Sequence, residues 1–258
     1  MPRPPGQPEI VQGRNAVREA LRSGRGRRLL LDAHASASPA LEEILRLAAA
    51  RGLPLERLER HDLARRLGGA PYQGIALSTE PRALPSLEEI LDVCEAQGVA
   101  PCLLLLKEVL YDQNLGAILR LADACGVQAV IVPSRQGAGV SAEVARVSAG
   151  ASEYVPVLRQ SLLQAISRLR RRGVRLIAAE AGASQALWDC DLTGPLALVL
   201  GGEDAGVSQA ILDRCDAVVR IPIGGHIGSL NVAAACAVAL FERQRQLRDG
   251  AGLKRGGG

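Results

Sequence analysis

Three junctions between an apolar run and a helix signal hold the residue types that could do chemistry. They are YDQNLGAILR (111–120), LGGEDAGVS (200–208) and IPIGGHIGSLN (221–231). The middle one presents Gly201, Gly202 and Gly206 beside Glu203 and Asp204. A phosphate loop needs Lys and then Ser or Thr after its last glycine, and Val207 stands at the Lys position. A dinucleotide fingerprint needs G-x-G-x-x-G, which these glycines do not give. The acidic pair repels phosphate, so the loop suits an uncharged or cationic ligand. A plain turn, with Ser208 capping the next helix, is the alternative.

The flanking junctions add polar side chains. Asn114 stands at a natural N-cap. Arg120 lies among Ile118, Leu119, Leu121 and Ala122, where an arginine snorkels or meets an acid. Ser229 is placed to cap the last helix, with Asn231 inside its first turn. Gly224, Gly225 and Gly228 permit a turn or a close approach to a ligand. His226 reads as a solvated loop residue.

Something must hold these junctions together. From residue 87 onward, apolar runs such as PCLLLL, VQAVIVP, VRLIAAE, PLALVL and AVVRIPI alternate with helix patterns. Strands without polar alternation, separated by helices, predict a parallel sheet covered on both faces. Ligands of such sheets sit in loops after the strands' carboxyl ends, where all three junctions fall. Before residue 80 the pattern is a smaller α/β unit. A helix is predicted over IVQGRNAVREALRSGRGRR, a strand at LLLDA and a helix at SPALEEILRLAAARG. In that last helix Ser38 caps, Pro39 opens the first turn and Gly52 stops it. A short helix at DLARRLGG and a strand at QGIALST complete the unit. The expected organisation is a disordered tail at 1–8, a first domain at 9–79, a Pro-marked linker at 80–86, a second domain at 87–248 and a flexible tail at 249–258.

Composition narrows the function. The net charge is +4, and residues 1–82 alone carry +5, from 14 Arg and 9 acids. Arginine forks suit phosphate, so the first domain hints at a polyanion, although a solvated Arg-rich surface would read the same way. Aromatic content is 2%, which argues against a sheet that stacks bases on exposed rings. The six Cys form no C-x-x-C pair, and the three His make no ligand spacing with them, so no metal site is expected. Reduced thiols, no apolar signal core and no long apolar stretch predict a cytoplasmic protein without a membrane span.

Taken together, NLGAILR, LVLGGEDAGVS and IPIGGHIGSLNVAAACAVALFE resemble the three ordered motifs of the SpoU/TrmH-type (SPOUT) RNA 2′-O-ribose methyltransferases. GRNAVREAL and YQGIAL resemble the substrate-binding domain of the branch that methylates guanosine in 23S rRNA. Gln113 stands where the family commonly has Pro, and Tyr72 where it commonly has His. The resemblance implies an α/β parallel sheet whose C-terminal segment forms a trefoil knot, preceded by a small ribosomal-protein-L30e-like α/β domain. It implies S-adenosyl-L-methionine as cofactor, RNA as substrate and a homodimer. By motif position, Leu200, Gly201, Gly202, Ile221, Ile223 and Leu230 would bind the cofactor. Asn114, Arg120, Glu203, Ser229 and Asn231 would form the catalytic set. The family often gives the arginine at the Arg120 position a base role. Guanidinium groups stay protonated at neutral pH, so holding phosphate and stabilising developing alkoxide charge suit Arg120 better. Transfer to tRNA or another rRNA nucleotide, or a silent RNA-binding homologue, stays open at this stage, and an ordinary nucleotide-binding enzyme is disfavoured.

Overall fold

A computed structural model describes residues 9–68, 72–109, 111–134, 140–202, 206–226 and 228–253. It divides into two compact units, residues 1–83 with 140–154 and residues 84–139 with 155–258.

The first unit begins with β1 (Glu9–Gln12), α1 (Arg14–Arg22), β2 (Arg28–Asp32) and α2 (Pro39–Ala50), followed by β3 (Leu55–Leu58), α3 (Arg60–Arg66) and β4 (Ile75–Thr79). The sheet order is β1-β4-β2-β3; β4 runs antiparallel to β1 and β2, and β3 parallel to β2. The single helix predicted from Ile10 is corrected here. Residues 9–12 are a strand because Ile10 and Val11 fit the edge against Ser78 and Leu77, and Gly13 at φ 91° turns the chain before the helix starts. β3 was also absent from the sequence reading, since LERL is short and polar. α2 starts and stops as predicted: Ser38 Oγ accepts the Leu41 N–H at 3.1 Å, Pro39 opens the helix and Gly52 lies at φ 62°.

The second unit supplies α4 (Leu87–Ala96), β5 (Cys102–Leu106), α5 (Asp112–Ala124) and β6 (Ala129–Val132). A capping box starts α4, with Ser86 Oγ accepting from Glu89 N–H and the Glu89 carboxylate accepting from Ser86 N–H. The chain then makes α6 (Ala142–Val147), which packs with the first unit. The sequence-based boundary at 80–86 had left this segment in the second domain. Buried Ala145 joins the core of α1, and Arg25 Nη1 holds both carboxylate oxygens of buried Glu153 at 2.8 and 2.7 Å.

After it come β7 (Val157–Arg159), α7 (Leu162–Arg171), β8 (Arg175–Ala179), β9 (Gln185–Ala186), β10 (Leu196–Leu200), α8 (Gln209–Leu212), β11 (Ala217–Arg220) and α9 (Val232–Leu253). The seven strands lie in the order β7-β6-β5-β10-β8-β11-β9, and every pairing is parallel, as the unalternated apolar runs require. β5 and β10 are buried at every position. Helix α9 runs to Leu253, past the tail boundary expected at 248; the tails at 1–8 and 254–258 lie outside the described residues. No described helix is long and apolar enough to cross a membrane.

Candidate active site

Three neighbouring strands, β10, β8 and β11, end side by side, with Leu200 opposite Ala179 and Ala179 opposite Val219. Just beyond these carboxyl ends lies a cleft of about 220 Å³. All six residues expected to bind a cofactor line it: Leu200, Gly201 and Gly202 from one loop, Ile221, Ile223 and Leu230 from the other. Ser229 lines it too. Ile223 and Leu230 remain 39% exposed, an apolar surface facing an open slot.

Glycine is required in the first loop. A Cβ on Gly201 would come within 2.3 Å of the Gly206 backbone, and Gly206 itself adopts φ 53°. The two loop limbs close through a bridge between Gly202 and Gly206. Gly224, Gly225 and Gly228 differ: a Cβ there meets no protein atom within 4 Å.

The polar set divides. Asn231 is the N-cap of α9, its Oδ1 accepting from Ala233 N–H at 2.9 Å and its carbonyl from Ala235 N–H. This corrects the assignment of the cap to Ser229, since the helix starts two residues later. With Oδ1 so engaged, Nδ2 donates to Asn114 Oδ1 at 3.1 Å. Asn114 is not an N-cap either. α5 starts earlier, after Tyr111, which places Asn114 within the first turn. Arg120 is exposed on α5 and enters no ion pair among the described residues, so the structural ion pair weighed for it is not seen there. Glu203 lies outside the described residues. His226 is exposed.

Of the cleft residues that the sequence reading did not assign to the site, one is charged. Glu180 follows β8 and lines the slot, and its Oε2 accepts the Val207 N–H at 2.9 Å. It was legible as the last residue of VRLIAAE, outside the three junctions that carry the family's motifs. Among the described lining residues Glu180 is the one charged side chain. Among the described lining residues a phosphate would meet one carboxylate and no cation, which disfavours a phosphorylated nucleotide. An adenosyl group with a cationic chain does fit: apolar walls take the flat base, loop backbone takes its polar edge, and the carboxylate suits positive charge.

The first unit carries a different cavity, of about 680 Å³, lined by Arg14, Arg60, Tyr72 and Gln73 among others. Arg14 is fixed by donating to Ser38 Oγ, Ser36 O and Gln73 O. Arg60 donates to Asp32, yet its side chain stays 75% exposed. The thiols play no part at either site. Burial pushes Cys102 up to about 11 and Cys215 likewise, so they pack as small apolar groups. Among the described residues no group of His, Cys, Asp and Glu is arranged to hold a metal ion.

Comparison with known proteins agrees with this geometry. Residues 101–241 match the SpoU rRNA Methylase family, and residues 10–85 match RNA 2′-O ribose methyltransferase substrate binding. The chain is 41% identical to the 23S rRNA (guanosine-2′-O-)-methyltransferase RlmB of Burkholderia sp over 80% of its length and 83% of the relative's. It is 39% identical to RlmB of Vibrio cholerae over 81% and 83%. Its fold is similar to the SpoU methyltransferase AviRb of Streptomyces viridochromogenes, solved in complex with the cofactor AdoMet. The TM-score is 0.77 at 26% identity, over 94% of this chain and 92% of that one. The fold and the site thus define an S-adenosylmethionine-dependent RNA 2′-O-methyltransferase. The chain belongs to the SpoU rRNA Methylase family.

Proposed function

We propose that the substrate is a guanosine of 23S rRNA, and that Asn114, Arg120, Glu203, Ser229 and Asn231 act on its ribose. The observation that carries the catalytic part is the Asn231–Asn114 hydrogen bond, because Asn231 sits between two cleft-lining residues, Leu230 and Val232. The two RlmB relatives, named for 23S rRNA guanosine, support the substrate.

S-adenosylmethionine, when bound, supplies a methyl group made electrophilic by its sulfonium. The protein's task is to present a ribose hydroxyl to it in line, and alignment of that kind is worth several orders of magnitude in rate. The cap at Asn231 fixes its amide, which in turn orients Asn114. Ser229 offers a hydroxyl at the cleft wall. Arg120, protonated as guanidinium groups are, holds a phosphate of the RNA and stabilises the negative charge that develops on the ribose oxygen as its proton passes to a solvent water. Glu203 completes the set by orienting the ribose. The Arg-lined cavity of the first unit, in a domain of ribosomal-protein-L30e-like type, docks the RNA through phosphate contacts.

The same reading includes a C-terminal trefoil knot. The sheet order supports it: β10 lies between β5 and β8, and β11 beyond β8, so the chain returns to the sheet centre before leaving it again. It includes a homodimer through α5 and α9, supported by Phe241, the only Phe in the chain, which is 55% exposed on α9. A cytoplasmic location accords with six free cysteines. The test of the substrate is a map of ribose methylation across 23S rRNA and tRNA in cells with and without the gene. Loss of one 23S rRNA guanosine mark is expected, and loss of a tRNA mark alone would overturn the assignment. Sedimentation showing a monomer at micromolar concentration would contradict the dimer.

A further inference from the structure

The cleft contains one charged side chain among its described residues, and nothing in the family reading accounts for it. Glu180 stands directly after β8, where its carboxylate serves the Gly201–Val207 loop and the slot at once. Oε2 accepts the Val207 N–H at 2.9 Å. The carboxylate also packs on Gly206, where a Cβ would lie 2.8 Å from Oε2 and 2.9 Å from Oε1. The side chain is therefore held in place by the loop, and its charge is fixed at the slot. The remaining described lining residues are Ser229 and apolar or glycine residues, none of which compensates that charge.

We propose that Glu180 makes the cleft select the methyl-loaded cofactor over its demethylated product by charge. The inference rests on the cofactor reading above and adds a direction to it. S-adenosylmethionine and S-adenosylhomocysteine share adenine, ribose, ammonium and carboxylate. They differ by one methyl and by the positive charge on sulfur, which is lost when the methyl leaves. Contacts with the shared parts cannot tell the two apart. A fixed carboxylate can, with the sulfonium placed on the Glu180 side of the slot. After screening by the open side of the slot, one such charge is worth about tenfold in relative affinity. The consequence is a pocket that holds its substrate and releases its product, with weaker product inhibition than a neutral slot would show.

The test is isothermal titration calorimetry of the full chain with S-adenosylmethionine and with S-adenosylhomocysteine, for the wild type and for Glu180→Gln. The glutamine keeps an oxygen that can accept the Val207 N–H, so the loop stays pinned while the charge goes. The ratio of the two dissociation constants is expected to move about tenfold toward the product in the variant. Most of that shift comes from weaker binding of S-adenosylmethionine. An unchanged ratio, with both ligands weakened equally or neither weakened, overturns the proposal and leaves Glu180 as a loop clamp. If the wild type binds neither ligand, the cofactor reading itself fails. Glu180→Asp guards against a misfolded variant, because it keeps the charge. Its ratio should stay nearer the wild-type value than that of Glu180→Gln. A shift as large as that of the glutamine variant contradicts a charge-based preference.

Discussion

In the second unit, the described lining of the cleft at the ends of β10, β8 and β11 is loop backbone, glycines and apolar side chains, with Ser229 and a single acid. In the first unit, the larger cavity is lined by Arg14, Arg60, the amides of Asn15 and Gln73, and Asp32, and the unit is tied by ion pairs such as Arg25–Glu153 and Arg60–Asp32. The two regions answer different ligands. A flat, uncharged base with a cationic chain is held by shape and backbone, whereas a polyanion is held by charge. The difference teaches where each region is fragile. The cleft fails when a side chain is added, and the first unit fails when a charge is removed.

The largest effect expected is at Gly201. A side chain there must displace the Gly206 backbone, so Gly201→Val should lower S-adenosylmethionine affinity at least 100-fold by calorimetry, while RNA binding by gel shift is retained. Retained cofactor affinity would mean that the slot is not the cofactor site. In the first unit, Arg25→Met removes the guanidinium that faces Glu153, whose side chain is 5% exposed. Leaving that carboxylate uncompensated should cost about 3 kcal/mol, read by hydrogen exchange of α1 and β1 amides. A change below about 0.5 kcal/mol would show the pair to be a surface contact.

A smaller effect separates two jobs of one residue. Asn231→Asp keeps an oxygen to cap α9 but loses the amide that donates to Asn114. Thermal stability should change by less than about 1 kcal/mol while methyl transfer falls. A stability loss with no loss of transfer would assign Asn231 to the cap alone. The smallest effect is at Asp32. The His34 N–H, and then Arg60, hold its carboxyl below the usual range against the opposing effect of burial. A depressed pKa contributes stability above the unfolded value of about 4, which is lost as pH falls through the folded value. Asp32→Asn should therefore flatten the decline in stability of the first unit below pH 4. Superimposable curves would remove Asp32 from the account.

Much of this was legible in the chain, unevenly. The parallel sheet was visible because strands covered on both faces are apolar without alternation, as CLLLL and LALVL are. The first unit was harder. Its edge strand EIVQ runs straight into a helix pattern, and only the positive φ of Gly13 separates the two. The six cleft residues followed from their positions in the family motifs that the chain resembles, motifs that the glycines after strands help to mark. Glu180 did not, because an acid ending an apolar strand looks like any solvated terminus until Val207 is seen bonded to it. The caps at Asn114 and Ser229 were misread by residue type: a helix start is set by backbone geometry, and several cap-forming residues lay within reach of each start.

The cleft, the Asn114–Asn231 pair and Arg120 are proposed to form one methyl-transferring centre. Single-turnover methyl transfer to 23S rRNA by Arg120→Ala, at saturating cofactor and with the dissociation constant of S-adenosylmethionine measured alongside, tests it most directly. A rate at least about 100-fold below wild type, with cofactor affinity within twofold, is expected. A near wild-type rate in a protein that binds cofactor normally would contradict it.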